Sequence, residues 1–290
     1  MSVAVVTCAA ARDLDDDLPP LLAALGGAGI AHALLDWDDP GADWGAHQLL
    51  VVRSVWDYVH RRAEFLAWAE AAGAAAPLAN PAPVLAWSSD KRYLADLAAA
   101  GVPVAPTAFA APGEAMAWPD GTEVVVKPAV SAGSIDTERY PARSRADAAA
   151  HVARLHADGR VAMAQPYLAR VDAAGETAMV FLDGRFSHAV RKGPMLRDER
   201  EVVGGLFLKE QIGPAAPTAA EAAVARAAMA AVPADGDLLY GRVDLIPGDD
   251  GAPVVIELEL LEPSLFLAHV PGTAERLVGA IARRLTSAPG

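Results

Sequence analysis

The sequence predicts an α/β fold in its first third and an α+β arrangement beyond it. Two patterns carry this. Short apolar runs alternate with amphipathic segments over the first seventy or so residues, as in a parallel sheet covered by helices. Later apolar runs instead come in pairs around Asp-Gly dipeptides, which favour tight antiparallel hairpins. Composition agrees with a packed protein. Hydrophobic residues make up 53% and charged residues 21% of 290 positions, which excludes wholesale disorder.

Val3–Thr7 reads as a first strand and Leu18–Leu25 as a helix stopped by Gly26-Gly27. Ile30–Leu35 and Leu49–Arg53 follow as strands, and Ala63–Ala72 as a helix ended by Gly73. No G-x-G-x-x-G follows the first strand, so a Rossmann dinucleotide site is not expected. The proline-dense stretch Pro77–Pro83 marks a boundary. Beyond it the pattern predicts a helix over Asp90–Ala100, a strand over Glu123–Lys127 and a loop of small residues over Ala129–Thr137. A helix over Arg145–Ala157 and a strand over Val161–Gln165 follow. Two hairpins come next, with an alanine-rich helix over Ala219–Ala231 and a last helix over Thr273–Leu285.

The charge balance is 24 basic against 37 acidic residues, a net −13. An acidic chain of this kind argues against nucleic-acid partners, which need a basic stripe. The single cysteine, Cys8, excludes internal disulfides and thiolate-rich metal sites, and it reads as a small buried hydrophobe. The N-terminus has no basic n-region, and no apolar run approaches the ~18–20 residues that span a bilayer. A cytoplasmic protein with no membrane partner is expected. Arginine is the usual basic residue, and the lysines are Lys91, Lys127, Lys192 and Lys209. A retained lysine reflects either chance or a site that needs a compact ammonium, such as a phosphate site.

The most informative segment is Leu238–Leu261. A two-residue turn at Asp250-Gly251 would set Asp244 opposite Glu257 and Arg242 opposite Glu259, all on one face. Val254, Ile256, Leu258 and Leu260 would line the other. Three carboxylates so close repel one another unless a cation lies among them, and Mg²⁺ shared with nucleotide phosphates meets that need. The plainer alternative is a solvated acidic face with Arg242 as its counter-charge. Val124-Val125-Val126-Lys127-Pro128 is a buried-type strand ending in a lysine. Ser131, Gly133 and Ser134 in the loop after it let backbone N–H groups approach an anion; an ordinary surface loop is the alternative. In the hairpin turning at Asp183-Gly184, the two-residue register sets Glu176 opposite Arg191 and puts Lys192 on the other face beside His188. His188 reads as a satisfied core histidine. No Ser–His–acid constellation is legible.

Lys91 after the proline-rich boundary, Val-Val-Val-Lys127-Pro128 before a small-residue loop, and Arg242-Val-Asp244 followed by Glu257-Leu-Glu259 together resemble the ATP-grasp superfamily, from about Asn80 to Phe266. The resemblance implies an N-terminal parallel α/β domain (residues 1–82) and two α+β subdomains (83–164 and 165–290) that hold ATP between them. It implies Lys91 and Lys127 on ATP phosphates, with the loop of Ser131, Gly133 and Ser134 closing over them. Gln165, Tyr167 and Leu168 would hold adenine and Glu176 would lie near the ribose. Asp244 and Glu257, with Glu259, would hold one or two Mg²⁺ ions. Arg242 and one of Arg191 or Lys192 would steady the transferring phosphate. Glu259 departs from the family's usual Glu-x-Asn, which bears on the number of metals. That variant, with Arg53-Ser-Val-Trp56-Asp57-Tyr58 and Phe186–Lys192, is similar to the branch containing the cyclo-ligase that closes O-ureidoserine to cycloserine. Arg53, Trp56, Asp57, Tyr58 and Ser264 are then substrate candidates, Arg53 as a carboxylate clamp. Alternatively Trp56 and Tyr58 anchor the domain interface, with Arg53–Asp57 an internal ion pair. The implied reaction joins a small carboxylate to an amine through an acyl-phosphate, and a homodimer is compatible with it. A small-molecule kinase and a non-catalytic nucleotide sensor are the alternatives.

Overall fold

The computed structural model describes residues 2–120, 123–133, 135–193, 202–203, 207–208, 212–236 and 238–287. β1 (Ser2–Thr7) is followed by α1 (Leu18–Gly27), β2 (Ala31–Asp36), β3 (Leu49–Val52) and α2 (Arg62–Ala75). The strands form a parallel sheet in the order β2-β1-β3. Period two divides β1 between its covers. Val3 and Val5 pack on Leu18, Leu21 and Leu25 of α1, and Ala4 and Val6 share a core with Phe65, Ala69 and Ala72 of α2.

The proline-rich boundary is not a free linker. Asn80 is buried and donates to the carbonyls of Tyr240 (2.9 Å) and Leu260 (2.7 Å), while accepting from Leu239 N–H (3.0 Å). A short helix not anticipated from the sequence, α3 (Ala82–Ser88), precedes the helix expected over Asp90–Ala100, which forms only as α4 (Tyr93–Ala99). Pro83 lies in the first turn of α3, where a missing N–H removes no intrahelical bond, so proline density there starts a helix. Lys91 therefore stands in the turn between them, its N–H on the Ala129 carbonyl at 2.9 Å.

A second sheet contains β4 (Ala108–Ala110), β5 (Glu123–Pro128), β6 (Glu138–Pro141) and β7 (Ala162–Pro166), antiparallel in the order β4-β7-β5-β6. Ala148, Val152 and Leu155 of α5 (Arg145–Ala157) pack on Val124 and Val126. After α6 (Val171–Ala174) comes the larger antiparallel sheet. Its strands are β8 (Glu176–Leu182), β9 (Arg185–Lys192), β12 (Ile212–Ala215), β13 (Tyr240–Pro247) and β14 (Pro253–Glu259), with β10 (Val202–Val203) and β11 (Phe207–Leu208) pairing separately. The larger sheet runs β12-β9-β8-β13-β14. α7 (Ala219–Ala230), started by a Thr218–Glu221 capping box, covers its Met179, Val243 and Leu258 face. On the opposite face, Leu277 and Ile281 of α8 (Thr273–Ser287) join Ala178, Val180 and α1 in one core. No helix among the described residues is long and apolar enough to cross a membrane.

Both hairpin registers depend on a bulge. At the β13–β14 tip the loop has three residues, with Gly251 at φ +84° and Pro247 opposite Pro253, one step away from the two-residue expectation. An extra residue in β14 then shifts the ladder back between Leu245 and Asp244. Asp244 meets Glu257 and Arg242 meets Glu259, as the unbulged count also predicts. The two offsets cancel at the site but not near the tip. Val255, not Val254 or Ile256, packs in the core, and Val254 and Ile256 lie with Ile246 on the acidic face. In the β8–β9 hairpin the two-residue turn holds, with Asp183 and Gly184 at positive φ, but a bulge between Phe181 and Val180 is not compensated. Glu176 therefore faces Lys192, and the expected Glu176–Arg191 pairing is corrected by one residue.

Candidate active site

The face shared by β13, β14, β8 and β9 is apolar at one end and charged at the other. The charged end is enclosed: Asp244 is 1% exposed, and Lys192, Arg242, Lys91 and Lys127 are buried. The solvated-face alternative is thereby set aside. A cavity of about 480 Å³ opens over it, between the larger sheet, the β5–β7 sheet and the parallel sheet's loops.

Arg242 grips Asp244 with two parallel bonds of 2.9 Å each, and it also contacts Glu259. Lys192 Nζ lies 2.9 Å from Asp244 and contacts Glu176. Lys91 Nζ lies 2.9 Å from Glu257 and donates to the Ser131 carbonyl (2.7 Å) and hydroxyl (3.1 Å). Four cations thus stand among four carboxylates. Burial opposes ionisation of Asp244, but Arg242 and Lys192 outweigh it and hold the carboxyl well below the usual range. Burial likewise opposes ionisation of Glu257, and Lys91 and Lys127 overcome it. Glu259 goes the other way. Burial, reinforced by Glu257 and Asp244, pushes it well up against the pull of Arg242. Burial also pushes Glu262 to about 7 and lowers the Lys127 ammonium.

Carboxylate oxygens of Asp244, Glu257 and Glu259 lie within 4.8 Å of one another. Hard oxygen donors converging in this way fit Mg²⁺, with phosphate oxygens able to complete the shell. Beside the charges is an apolar slot lined by Val125, Leu168, Ile246 and Ile256, with Gln165 and Tyr167 at its edge. Gln165 is oriented by donating to Thr107 (2.9 Å), and the Tyr167 ring is stacked under the Arg139 guanidinium at 3.5 Å. A flat base beside a polyphosphate suits this pairing of slot and charges.

Most sequence-selected residues line this one cavity: Lys91, Lys127, Ser131, Gly133, Gln165, Tyr167, Leu168, Glu176, Lys192, Arg242, Glu257, Glu259, Trp56, Tyr58 and Ser264. Asp244 is beneath its floor, bonded to Arg242 and Lys192. Ser134 and Lys209 lie outside the described residues. Three expectations are corrected. Arg191, one residue out of register, turns to Ala174 O (3.1 Å) and Glu221 (3.8 Å). Asp57 serves Trp37 (2.9 Å) and Arg61 (2.6 Å). Arg53 is buried and pairs with Asp17, not Asp57, and it is not among the residues that line the cavity. His188 is satisfied by the Leu265 carbonyl at 2.7 Å. Sequence reasoning missed Tyr93, Ile246, Phe266, His269 and the acidic run Asp15–Asp17. That run follows the C-terminal end of β1, where ligands of parallel sheets collect, and this is the signal that could have found it.

Residues 3–80 match the family described as D-cycloserine synthetase DcsG, N-terminal domain. Over 294 positions the chain is 42% identical to the cycloserine biosynthesis protein DcsG of Streptomyces lavendulae, with 98% of each covered. The crystal structure of D-cycloserine synthetase DcsG superposes with a TM-score of 0.89 at 40% identity, over 98% of this chain and 100% of that one. D-alanine–D-alanine ligase from Bacillus anthracis shares the fold, with a TM-score of 0.69 at 13% identity over 99% and 97% of the two chains. The chain belongs to the D-cycloserine synthetase (DcsG) family of ATP-grasp ligases.

Proposed function

We propose that this ligase activates the carboxylate of an amino-acid-like substrate with ATP and captures it with a nitrogen of the same molecule, as in closure of O-ureidoserine to cycloserine. The observation that carries the reading is the enclosed set of Lys91, Lys127, Lys192 and Arg242 around the Asp244, Glu257 and Glu259 carboxylates, next to an apolar slot. Asp244, Glu257 and Glu259 would hold Mg²⁺, which would supply charge neutralisation at the phosphates. Lys91 and Lys127 hold the polyphosphate. Arg242 and Lys192 meet the charge that develops on the transferring group. No side-chain nucleophile is needed, because the substrate carboxylate attacks the γ-phosphorus. Enclosure excludes water from the activated acyl group.

The other end of the cavity supports an amino-acid-like substrate. Asp15 and Glu262 both line the cavity, and Asp15 Oδ2 is buried without a hydrogen-bond partner among the described residues. Acids in the lining suit an ammonium group, and Trp56 and Tyr58 line the same cavity. The test is ADP release with O-ureidoserine and a panel of amino acids, followed by mass spectrometry. With O-ureidoserine, the bond from the oxygen-linked nitrogen to the activated carbonyl forms as phosphate leaves, and the carbamoyl group on that nitrogen is lost as carbon dioxide and ammonia; cycloserine with ADP and phosphate is expected. A stable phosphorylated product would identify a kinase, and absence of turnover with every carboxylate would overturn the ligase reading.

A further inference from the structure

We propose that Asp17, backed by Arg53, is a positioning residue that sets the loop over residues 263–267 and, through that loop, aims the Arg242 guanidinium. The inference rests on the ligase reading above for the role of Arg242. Asp17 is 3% exposed and immediately precedes α1, in the parallel α/β part of the chain. Both its oxygens are committed to one loop: Oδ2 accepts the Leu265 N–H at 2.5 Å and Oδ1 the Leu267 N–H at 2.6 Å. Arg53, at the end of β3, donates to the Pro263 carbonyl (2.8 Å) and lies 3.2 Å from Asp17 Oδ2. The pair thus grips the loop on both sides of Ser264.

Between the two gripped amides Phe266 has φ +55°, a conformation unfavourable for a residue with a Cβ and kept only where the surroundings impose it. That turn does two things for Arg242. It presents the Ser264 carbonyl to Nη1 at 3.0 Å, and it lays the Phe266 ring 5.3 Å from the guanidinium carbon. The opposite edge of the guanidinium is held by Asp244, a neighbour on the same strand. The contacts to Asp244 and Glu259 are thus made within the β13–β14 hairpin, while the contact to the 263–267 loop depends on a carboxylate more than two hundred residues away in sequence. Since displacement of a catalytic group by about 1 Å can lower a rate about 10²-fold, the distant constraint has leverage on turnover.

The experiment compares wild type, Asp17→Asn and the double variant Asp17→Asn/Arg53→Met. Asparagine keeps the volume but sets an NH₂ against a backbone N–H. The double variant also removes the buried charge that Asp17 balances, so it should recover Tm lost by the single variant. In both we expect kcat to fall about 10–100-fold with KM for MgATP within about twofold of wild type. Hydrogen exchange at the Leu265 and Leu267 amides should rise at least about tenfold in both. Activity that recovers with Tm in the double variant would reduce the pair to a stability element and overturn the proposal. So would unchanged exchange at those amides, or equal losses in kcat and nucleotide affinity. Absence of turnover by the wild type would count against the ligase reading instead, and the exchange measurement would still decide whether Asp17 holds the loop.

Discussion

Glu257→Gln isolates one charge in the cavity with almost no change in shape. In the wild type Glu257 lies between Lys91 and the other two acids, 2.9 Å from the lysine, and Lys91 with Lys127 keeps it ionised despite burial. The amide still accepts a hydrogen bond from Lys91, and Lys91 keeps both bonds to Ser131. The stability loss should therefore be well under the ~3–5 kcal/mol of a broken buried pair, about 1–2 kcal/mol. For a chain of this size that is a Tm drop of a few degrees, at ~2–4 °C per kcal/mol. Catalysis should suffer more. Losing one preorganised charge at a developing phosphoryl charge typically costs ~10²–10³ in kcat, about 3–4 kcal/mol. The assay is coupled ADP release across a Mg²⁺ titration, with nucleotide affinity measured separately by calorimetry without metal. We expect little turnover and a flat Mg²⁺ response. Metal-free nucleotide binding should be retained or tightened, because four cations then face only three carboxylates. Wild-type turnover with an unchanged Mg²⁺ curve would refute the assignment of Glu257 to the metal.

Lys192→Met and Arg191→Met should differ sharply in ADP release. The first removes the ammonium that Glu176 and Asp244 share and should lower kcat by ~10² or more, while the second should stay within about twofold of wild type. Gly175→Ala should lower Tm and disturb Glu176, since φ is +71° there and an added Cβ would meet the Lys192 carbonyl at 2.6 Å; a well-folded, active alanine variant would argue against that geometry. Burial lowers the His188 pKa below its usual value. The unfolded chain therefore binds a proton at His188 first as pH falls, and the stability due to neutral His188 is lost from about pH 6.5 downward, through the folded-state pKa. His188→Gln keeps a donor for Leu265, so its Tm should decline less than that of wild type between neutral and mildly acidic pH, and equal slopes would contradict the assignment.

How much could be read in advance varied with the kind of interaction. The parallel sheet and its two covers were legible because β1 is buried on both faces and its helices carry apolar stripes at helical spacing, patterns local to each segment. Lys91, Lys127, Asp244 and Glu257 were legible because motif order preserves them. Arg191 against Lys192 was not, since a single extra residue in a strand exchanges the two faces, and nothing in the local sequence announces the bulge. The Asp244–Glu257 pairing was anticipated through two offsets that cancel, so there the correct answer did not come from correct turn geometry.

By itself the amino-acid order determined most of the strands and helices, a net acidic charge, and a set of lysines and acids suited to magnesium and phosphate. These follow from periodicity and side-chain chemistry, which act over a few residues. Only the folded chain decided that Arg53 joins Asp17, that Asn80 fastens the larger sheet to the boundary, and that one cavity collects charges from five strands and several loops. Those choices are made by contacts between residues up to 250 positions apart, where burial and mutual charge neutralisation select one partner among many chemically equivalent ones.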